Sequence, residues 1–225
     1  MVMKVRCSQI GKLITNPRSK GELFSQTTKT YIQELVLRDK YGIQKEFSSR
    51  YTDKGNEVED KSIELCNNVL DLGFLWKNED YFQNDYITGT PDVNTDTVLL
   101  DVKSSWDATT FPFFESELPN KDYFYQLQGY MWLTGKEKSL LCYCLINTPP
   151  LIVEDEIRRE HWKLHLIDED LHLREHVLKK HNFDHIPMEK RIRVYEVEKD
   201  EQVIETLKEK IELAREYYEM LIKVL

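Results

Sequence analysis

Glycine and proline are scarce in this chain, at 8 and 7 of 225 residues. Such counts exclude a collagen-like or Pro/Gly-rich low-complexity protein. Cysteine is scarcer still: Cys7, Cys66, Cys142 and Cys144. Cys142-x-Cys144 has no partner pair nearby, so it does not read as a zinc or iron–sulfur site. It lies in the apolar run Ser139–Ile146, where both sulfurs of a strand face one side and are expected to be structural. No apolar run approaches the ~20 residues needed to cross a bilayer. The start, Met1 to Ser8, lacks the apolar core of a signal peptide. A cytoplasmic protein with reduced cysteines and no membrane partner is therefore expected. Internal repeats are absent.

What is present is a core-forming composition. Hydrophobic residues make up 40% and charged residues 32%, enough apolar material for one large domain. Lys and Arg total 31 against 40 Asp and Glu, a net charge of −9. Taken alone, that sum argues against a polyanion partner. Its distribution argues otherwise. Residues 1–54 carry 11 basic and 5 acidic side chains, a net of +6, and the remainder carries 20 and 35, a net of −15. Such asymmetry marks the first segment as the candidate polyanion-binding end.

Ser8 to Thr15 predicts a short helix capped by Ser8, followed by a turn at Asn16-Pro-Arg-Ser19. Helical spacing predicts a helix over 25–41, stopped by Gly42. A second helix is expected over 54–70, capped by Thr52 or Asp53 and ended by Gly73. Thr97 to Val102 and Ser139 to Ile146 read as strands, with a helix over 121–134 between them, closed by Gly135. Residues 151–187 are a charged stretch with helical spacing, expected as an insertion. A half-exposed strand over 191–197 and an amphipathic helix over 201–225 complete the chain. The order predicts an α/β fold with a central mixed sheet flanked by helices.

The chemistry concentrates in Gly89-Thr-Pro-Asp92 and Leu99-Leu-Asp-Val-Lys103. On a strand, Asp101 and Lys103 point to the same face. The preceding Pro-Asp turn can bring Asp92 to them. Two carboxylates and the Val102 main-chain carbonyl are hard oxygen ligands of the kind Mg²⁺ takes. A lysine beside them can orient or help deprotonate a water, and the set suits phosphodiester hydrolysis. An Asp-x-Lys tripeptide alone is common and is more often the pattern of a surface ion pair. Two further elements separate the readings: Gly55-Asn-Glu-Val-Glu59 on the second helix, and Gln126-Leu-Gln-Gly-Tyr130 on the next.

With these, the chain resembles the PD-(D/E)xK nuclease superfamily, and within it the lambda-exonuclease and YqaJ-like viral recombinase exonucleases. Gly55 and Glu59 match the family's Gly-x-x-x-Glu helix. Pro91 and Asp92 match its Pro-Asp turn, and Asp101 and Lys103 its acid-x-Lys strand. Gln126 and Tyr130 match its Gln-x-x-x-Tyr-like helix. Upstream, Ser8 and the Pro-Arg-Ser turn with Arg18 match a segment that contacts DNA near the 5′ phosphate, and Thr90 matches a phosphate-contacting serine. The arginine that precedes the serine helix in the family has no counterpart here; Lys4, Arg6 or Lys12 are the available substitutes.

The resemblance implies a restriction-endonuclease-like core and Mg²⁺-dependent exonuclease action on duplex DNA ends, 5′→3′, with Mn²⁺ as a substitute metal and no iron–sulfur cluster. Asp92 and Asp101 would bind the metal directly, and Glu59 directly or through water. Lys103 would activate the water, Gln126 would orient Lys103 or that water, and Tyr130 would support Gln126. Ser8, Lys12, Arg18 and Thr90 would bind DNA. A phage or prophage origin, a single-strand annealing partner and a trimeric ring around DNA follow from the same resemblance. Two alternatives stay open: a RecB-like nuclease acting on single-stranded or branched DNA, and a catalytically silent DNA-binding protein on the same fold.

All six histidines fall in 161–185 as three i, i+4 pairs. None forms His-Glu-x-x-His, and a solvated helical insertion is the expectation. The aromatic runs Phe111–Phe114 and Tyr123–Tyr125 read as core, with Trp106 expected beside the cleft.

Overall fold

The computed structural model describes residues 2–45 and 49–225. The chain begins with β1 (Val5–Arg6), a 3₁₀ helix (Cys7–Leu13), α1 (Gln26–Tyr41) and α2 (Arg50–Val69). Four strands follow: β2 (Phe82–Gln83), β3 (Ile87–Gly89), β4 (Val93–Asn94) and β5 (Leu99–Ser104). Then come α3 (Lys121–Thr134), β6 (Lys138–Cys144), α4 (Pro150–Lys163) and α5 (Leu171–Lys180). A 3₁₀ turn, β7 (Ile192–Glu198) and α6 (Glu201–Val224) complete the order.

The expected single central sheet is split in two. One sheet has the order β4-β5-β6-β7, with β5 and β6 parallel and the outer pairs antiparallel. The other has the order β1-β3-β2, with β1 and β3 parallel. The break falls at Thr90-Pro-Asp92, because proline cannot donate to a ladder and a turn there re-aims the chain.

Strand β5 organises the larger sheet. Its alternation sends Leu100 and Val102 to one face, where they pack with Val58, Ile63, Leu65 and Cys66 of α2. Leu99 on the other face packs with Leu127 and Met131 of α3 and with Leu207 and Ile211 of α6. Each such buried side chain contributes roughly 1.5–3 kcal/mol. Helices cover both faces, so the polar positions Asp101 and Lys103 sit within an apolar sandwich and must find partners there.

Several helix ends differ from expectation. The first helix is 3₁₀, and Ser8 does not cap it; Arg6 is the preceding residue, with no side-chain cap. Helix α2 begins four residues early, because Ser49 and Thr52 form a reciprocal capping box. Thr52 therefore sits inside the cap rather than at it. The same helix ends at Leu70, and Gly73 (φ 77°) lies beyond it. Gly42 and Gly135 close α1 and α3 in the left-handed conformation, as expected.

The insertion is not uniformly solvated. Helices α4 and α5 share a small core of Val153, Ile157 and Val177, and Arg50 of α2 pairs with buried Glu156. His181 is buried, its Nδ1 2.9 Å from Thr148 Oγ1. The i, i+4 pairing of His161 with His165 is lost because α4 stops at Lys163 and His165 turns to φ 55°. Only His172 and His176 share a helix as proposed. Cys142 and Cys144 are buried on one side of β6, as expected, and Cys66 joins them, its sulfur 4.0 Å from that of Cys144.

At the far end of the chain, the Arg215 side chain donates to the Met3 carbonyl at 3.1 Å and to the Asp85 carbonyl. Helix α6 thereby fastens β1 and the β2–β3 turn. No helix among the described residues is long and apolar enough to cross a membrane.

Candidate active site

A close crossing sets the position of the site. A methyl group on Gly89 would lie 2.7 Å from the Tyr130 ring and 2.9 Å from Cys7 Sγ; one on Gly129 would lie 2.9 Å from the same sulfur. Two glycines and a cysteine thus let β3, the 3₁₀ helix and α3 approach more closely than larger residues permit. This contact fixes α3 against the turn that carries Asp92.

Asn78 holds that turn. Its backbone N–H donates to the Asp92 carbonyl at 2.8 Å, and its side-chain amide donates to the Pro91 carbonyl at 3.0 Å. Sequence reasoning passed over Asn78, one of two asparagines in the aromatic segment before the turn. The Asp92 carboxylate accepts the Val102 backbone N–H at 2.8 Å. Strand β4 pairs with β5 only as far as Val93 opposite Leu100. Val102, two residues on, therefore presents its N–H and carbonyl at the same uncovered edge, beside Asp92.

Asp101 is 1% exposed. Its Oδ1 accepts from Gln126 Nε2 at 3.2 Å. Its Oδ2 lies 2.5 Å from Lys103 Nζ, an ion pair that falls short of hydrogen-bond geometry, so this buried oxygen has no hydrogen-bond partner. Gln126 Nε2 also donates to the Tyr130 hydroxyl at 2.9 Å, which donates in turn to the Thr90 carbonyl at 3.2 Å. The i, i+4 spacing of Gln126 and Tyr130 puts both on the helix face toward β5. Asp92, Val102, Asp101, Lys103, Gln126 and Tyr130 are thus brought together.

The electrostatics follow from burial. Burial and the neighbouring Asp101 charge push the Asp92 carboxyl well above its ordinary value. Burial alone would depress the Lys103 ammonium, but Asp101 and Asp92 outweigh it and hold it above its ordinary value. Burial, and then Asp101, keep the Tyr130 phenol protonated, consistent with its role as donor. Two carboxylates face one lysine, so the site has a deficit of positive charge. Asp101 Oδ2, which meets only the Lys103 ammonium, the Asp92 carboxylate and the Val102 carbonyl are hard donors that fit a Mg²⁺ ion, which typically takes one or two carboxylates and completes its shell with water and substrate.

Glu59 is not gathered with them. It lies on α2, across the sheet from Asp101, and pairs with Lys77 at 2.9 Å. Among the described residues no three of His, Cys, Asp and Glu are grouped to hold a metal. The Glu59 charge still reaches Asp92 and helps to raise that carboxyl, so of the two expected modes the contact through water is the one this placement suits.

Ser8 and Thr90 are both exposed. The parallel pairing of Arg6 with Thr88 carries them to the same end of β1 and β3. Arg18 is exposed in the loop between the 3₁₀ helix and α1, whose neck is closed by hydroxyl contacts among Thr15, Ser25 and Thr28. Lys12 lies apart from the carboxylates, 5.0 Å over the Tyr31 ring. Trp106 does not line the cleft: it is 6% exposed, edge-on to Tyr51 and His181. Beside it Lys54, fully buried and unforeseen, donates to the Ser105 and Trp106 carbonyls, both at 2.8 Å.

No protein-family model matches the chain, and a search of curated proteins finds none. Solved structures do match. A phage-related exonuclease from Haemophilus somnus is 31% identical, with a TM-score of 0.78 over 99% of this chain and 96% of its own. The chain belongs to the lambda-exonuclease family. An alkaline exonuclease from Laribacter hongkongensis shares the fold at 15% identity, with a TM-score of 0.67 over 98% of this chain and 90% of its own. Its complex with dAMP matches equally, at 16% identity and a TM-score of 0.66 over the same shares. As a lambda-exonuclease-family nuclease, the chain has the restriction-endonuclease-like core, with the acid-x-Lys strand on β5.

Proposed function

We propose that the protein is a Mg²⁺-dependent DNA exonuclease that degrades one strand of a linear duplex from its 5′ end. The observation that carries this reading is the convergence of Asp92, the Val102 carbonyl, Asp101 and Lys103 on one strand edge, with Ser8 and Thr90 at the same end of the neighbouring strands. The exonuclease relatives, one of which takes dAMP, are in keeping with it.

Asp92, Asp101 Oδ2 and the Val102 carbonyl would hold the metal. When bound, Mg²⁺ polarises the phosphodiester and lowers the pKa of the attacking water. Gln126 fixes the Asp101 rotamer through Oδ1, and Tyr130 fixes Gln126 by anchoring it to the Thr90 carbonyl. Lys103, kept protonated by its two carboxylates, orients the water and offsets charge growing on the phosphorus oxygens. Water attacks phosphorus, the bond to O3′ breaks, and the departing oxygen takes up a proton. A mononucleotide leaves, and the shortened strand again ends in a 5′ phosphate. Ser8 and Thr90 hydroxyls beside the start of the 3₁₀ helix are suited to hold that phosphate, with Lys12 and Arg18 contacting the DNA. A single-strand annealing partner, a trimeric ring, a cytoplasmic site of action in a phage-infected cell and a role in recombination complete the proposal by family resemblance.

The test compares 5′-phosphorylated with 5′-hydroxyl duplex ends, with and without Mg²⁺. The expected result is metal-dependent release of mononucleotides and a strong rate preference for the phosphorylated end. Equal rates would sink the 5′-end assignment and favour the RecB-like alternative. Binding without any shortening in Mg²⁺ or Mn²⁺ would favour the catalytically silent one.

A further inference from the structure

The 3₁₀ character of the first helix has a consequence for charge. At three residues per turn, side chains at i and i+3 lie one above another. Gln9 and Lys12 therefore form one ridge, and Arg6, in extended backbone just before the helix, lines the same side. Ser8 lies on a different face. Opposite the ridge stand Tyr31 and Arg38 of α1, seven residues apart and so on one helix face. Between ridge and helix is a cleft of about 590 Å³ lined by these five residues together with Glu34 and others.

The charges of the cleft are unevenly met. Arg38 pairs with Asp39 at 2.7 Å, and Glu34 is approached by Lys45 at 3.9 Å. Arg6 and Lys12 have no carboxylate within ion-pair distance among the described residues. The floor carries a second signal. Tyr31 is 5% exposed, and its hydroxyl has no hydrogen-bond partner among the described residues. Burial pushes the phenol up to about 12, so it keeps its proton near neutral pH. A buried donor without an acceptor costs roughly 1–3 kcal/mol in an apoprotein, and an anion in the cleft removes that cost. Two unpaired cations and one unpaired O–H donor are a complementary set for a tetrahedral phosphate oxyanion.

We propose that this cleft is a second phosphate site, separate from the Ser8 and Thr90 end, and that it grips a backbone phosphodiester of the DNA away from the cleavage point. The proposal rests on the nuclease reading for its ligand. Arg6 and Lys12 supply charge, and Tyr31 supplies the directional hydrogen bond that selects a phosphate oxygen.

The test measures affinity for duplex oligonucleotides carrying one neutral methylphosphonate at successive positions, with EDTA present so that no cleavage occurs. Wild type is compared with Tyr31→Phe and Arg6→Gln. At one or two positions, neutralisation should weaken wild-type binding about tenfold and weaken the variants no further, the signature of a shared contact. Arg6→Gln should also make the salt dependence shallower by about 0.9 in log–log slope, and Tyr31→Phe should leave the slope alone. DNA binding in which every position affects wild type and variants equally overturns the second site and leaves the nuclease reading intact. Absence of DNA binding by the wild type overturns both. A rise in melting temperature with dAMP that is lost in Tyr31→Phe, without any methylphosphonate coupling, assigns the cleft to a free nucleotide and overturns the DNA assignment. Arg6 is on the surface, so its variant carries the test should Tyr31→Phe fold poorly.

Discussion

Two lysines are drawn into the protein beside strand β5, and their surroundings act on them in opposite directions. Lys103 loses water but gains two carboxylates, and its ammonium is held above its ordinary value. Lys54 is fully buried and gains the carbonyls of Ser105 and Trp106 and the face of the Phe183 ring at 5.3 Å, but no carboxylate within ion-pair distance among the described residues. Burial pushes it down from 10.5 to about 7, against the weak opposing pull of Asp107. The comparison separates two roles of a buried cation. Carbonyl dipoles can position an ammonium without compensating its charge, whereas carboxylates compensate it and become dependent on it in turn. Lys103 and the carboxylates are a chemical unit; Lys54 is a structural peg whose charge is a cost.

The largest expected effect comes from removing the compensated lysine. Lys103→Met should lower metal-dependent cleavage by about 10²–10⁴ with the fold retained by circular dichroism. Cleavage within a few-fold of wild type would show that the lysine is only a counter-ion.

Gly129→Ala disturbs one side of the comparison alone. Its new methyl meets Cys7 Sγ, so α3 shifts and Gln126 leaves Asp101. Cleavage should fall at least tenfold, while the pH dependence of stability, which belongs to Lys54, should stay as in wild type.

The Lys54 side is read by melting temperature against pH. Its folded value of about 7 lies below the unfolded 10.5, so between them the unfolded chain binds more protons. Stability then rises with pH through that window, by at most about 1.4 kcal/mol per pH unit, and the penalty is constant below it. Lys54→Met should flatten the rise between pH 7 and 10.5. An unchanged profile would place the charge elsewhere. His181 acts in the same sense at lower pH: burial, with Lys54 and Lys180, depresses it from 6.5 to about 4, and stability should climb through that interval.

The smallest effect is expected from Tyr130→Phe. It removes one bridge between Gln126 and the Thr90 carbonyl, a neutral hydrogen bond contributing about 0.5–1.5 kcal/mol. The rate should fall two- to tenfold, mainly in kcat.

Much of this was legible before the structure. The alternation of Leu99 to Lys103 placed Asp101 and Lys103 on one face, and the i, i+4 pair Gln126 and Tyr130 met them there. Helix α3 and its glycine stop agreed because local capping chemistry governs them. What escaped depends on contacts distant in sequence. The pairing of Glu59 with Lys77 could not be read from helical spacing, although the Glu59 charge still acts on Asp92. Asn78 looks like any loop asparagine until the Pro91 and Asp92 carbonyls are seen to need a donor. The 3₁₀ winding of 7–13 carries no periodic signal distinguishable from a short α-helix. Trp106 and His181 were misjudged together: each lies in a charged or polar stretch, and burial arises only because the insertion folds back over Lys54.

The fastening of β1 by Arg215 bears on the order in which the protein is made. Ser8 and Thr90 are set by the pairing of β1 with β3, and both the Met3 and Asp85 carbonyls flanking that pairing are held by a residue near the end of this sequence. A nascent chain still short of α6 has Asp92 and Asp101 translated but lacks the clasp on the β1–β3 pairing that sets Ser8 and Thr90. Chain elongation thus acts as a built-in delay: the end of the fold to which the proposed function assigns the DNA terminus is clasped only after the ribosome has passed residue 215.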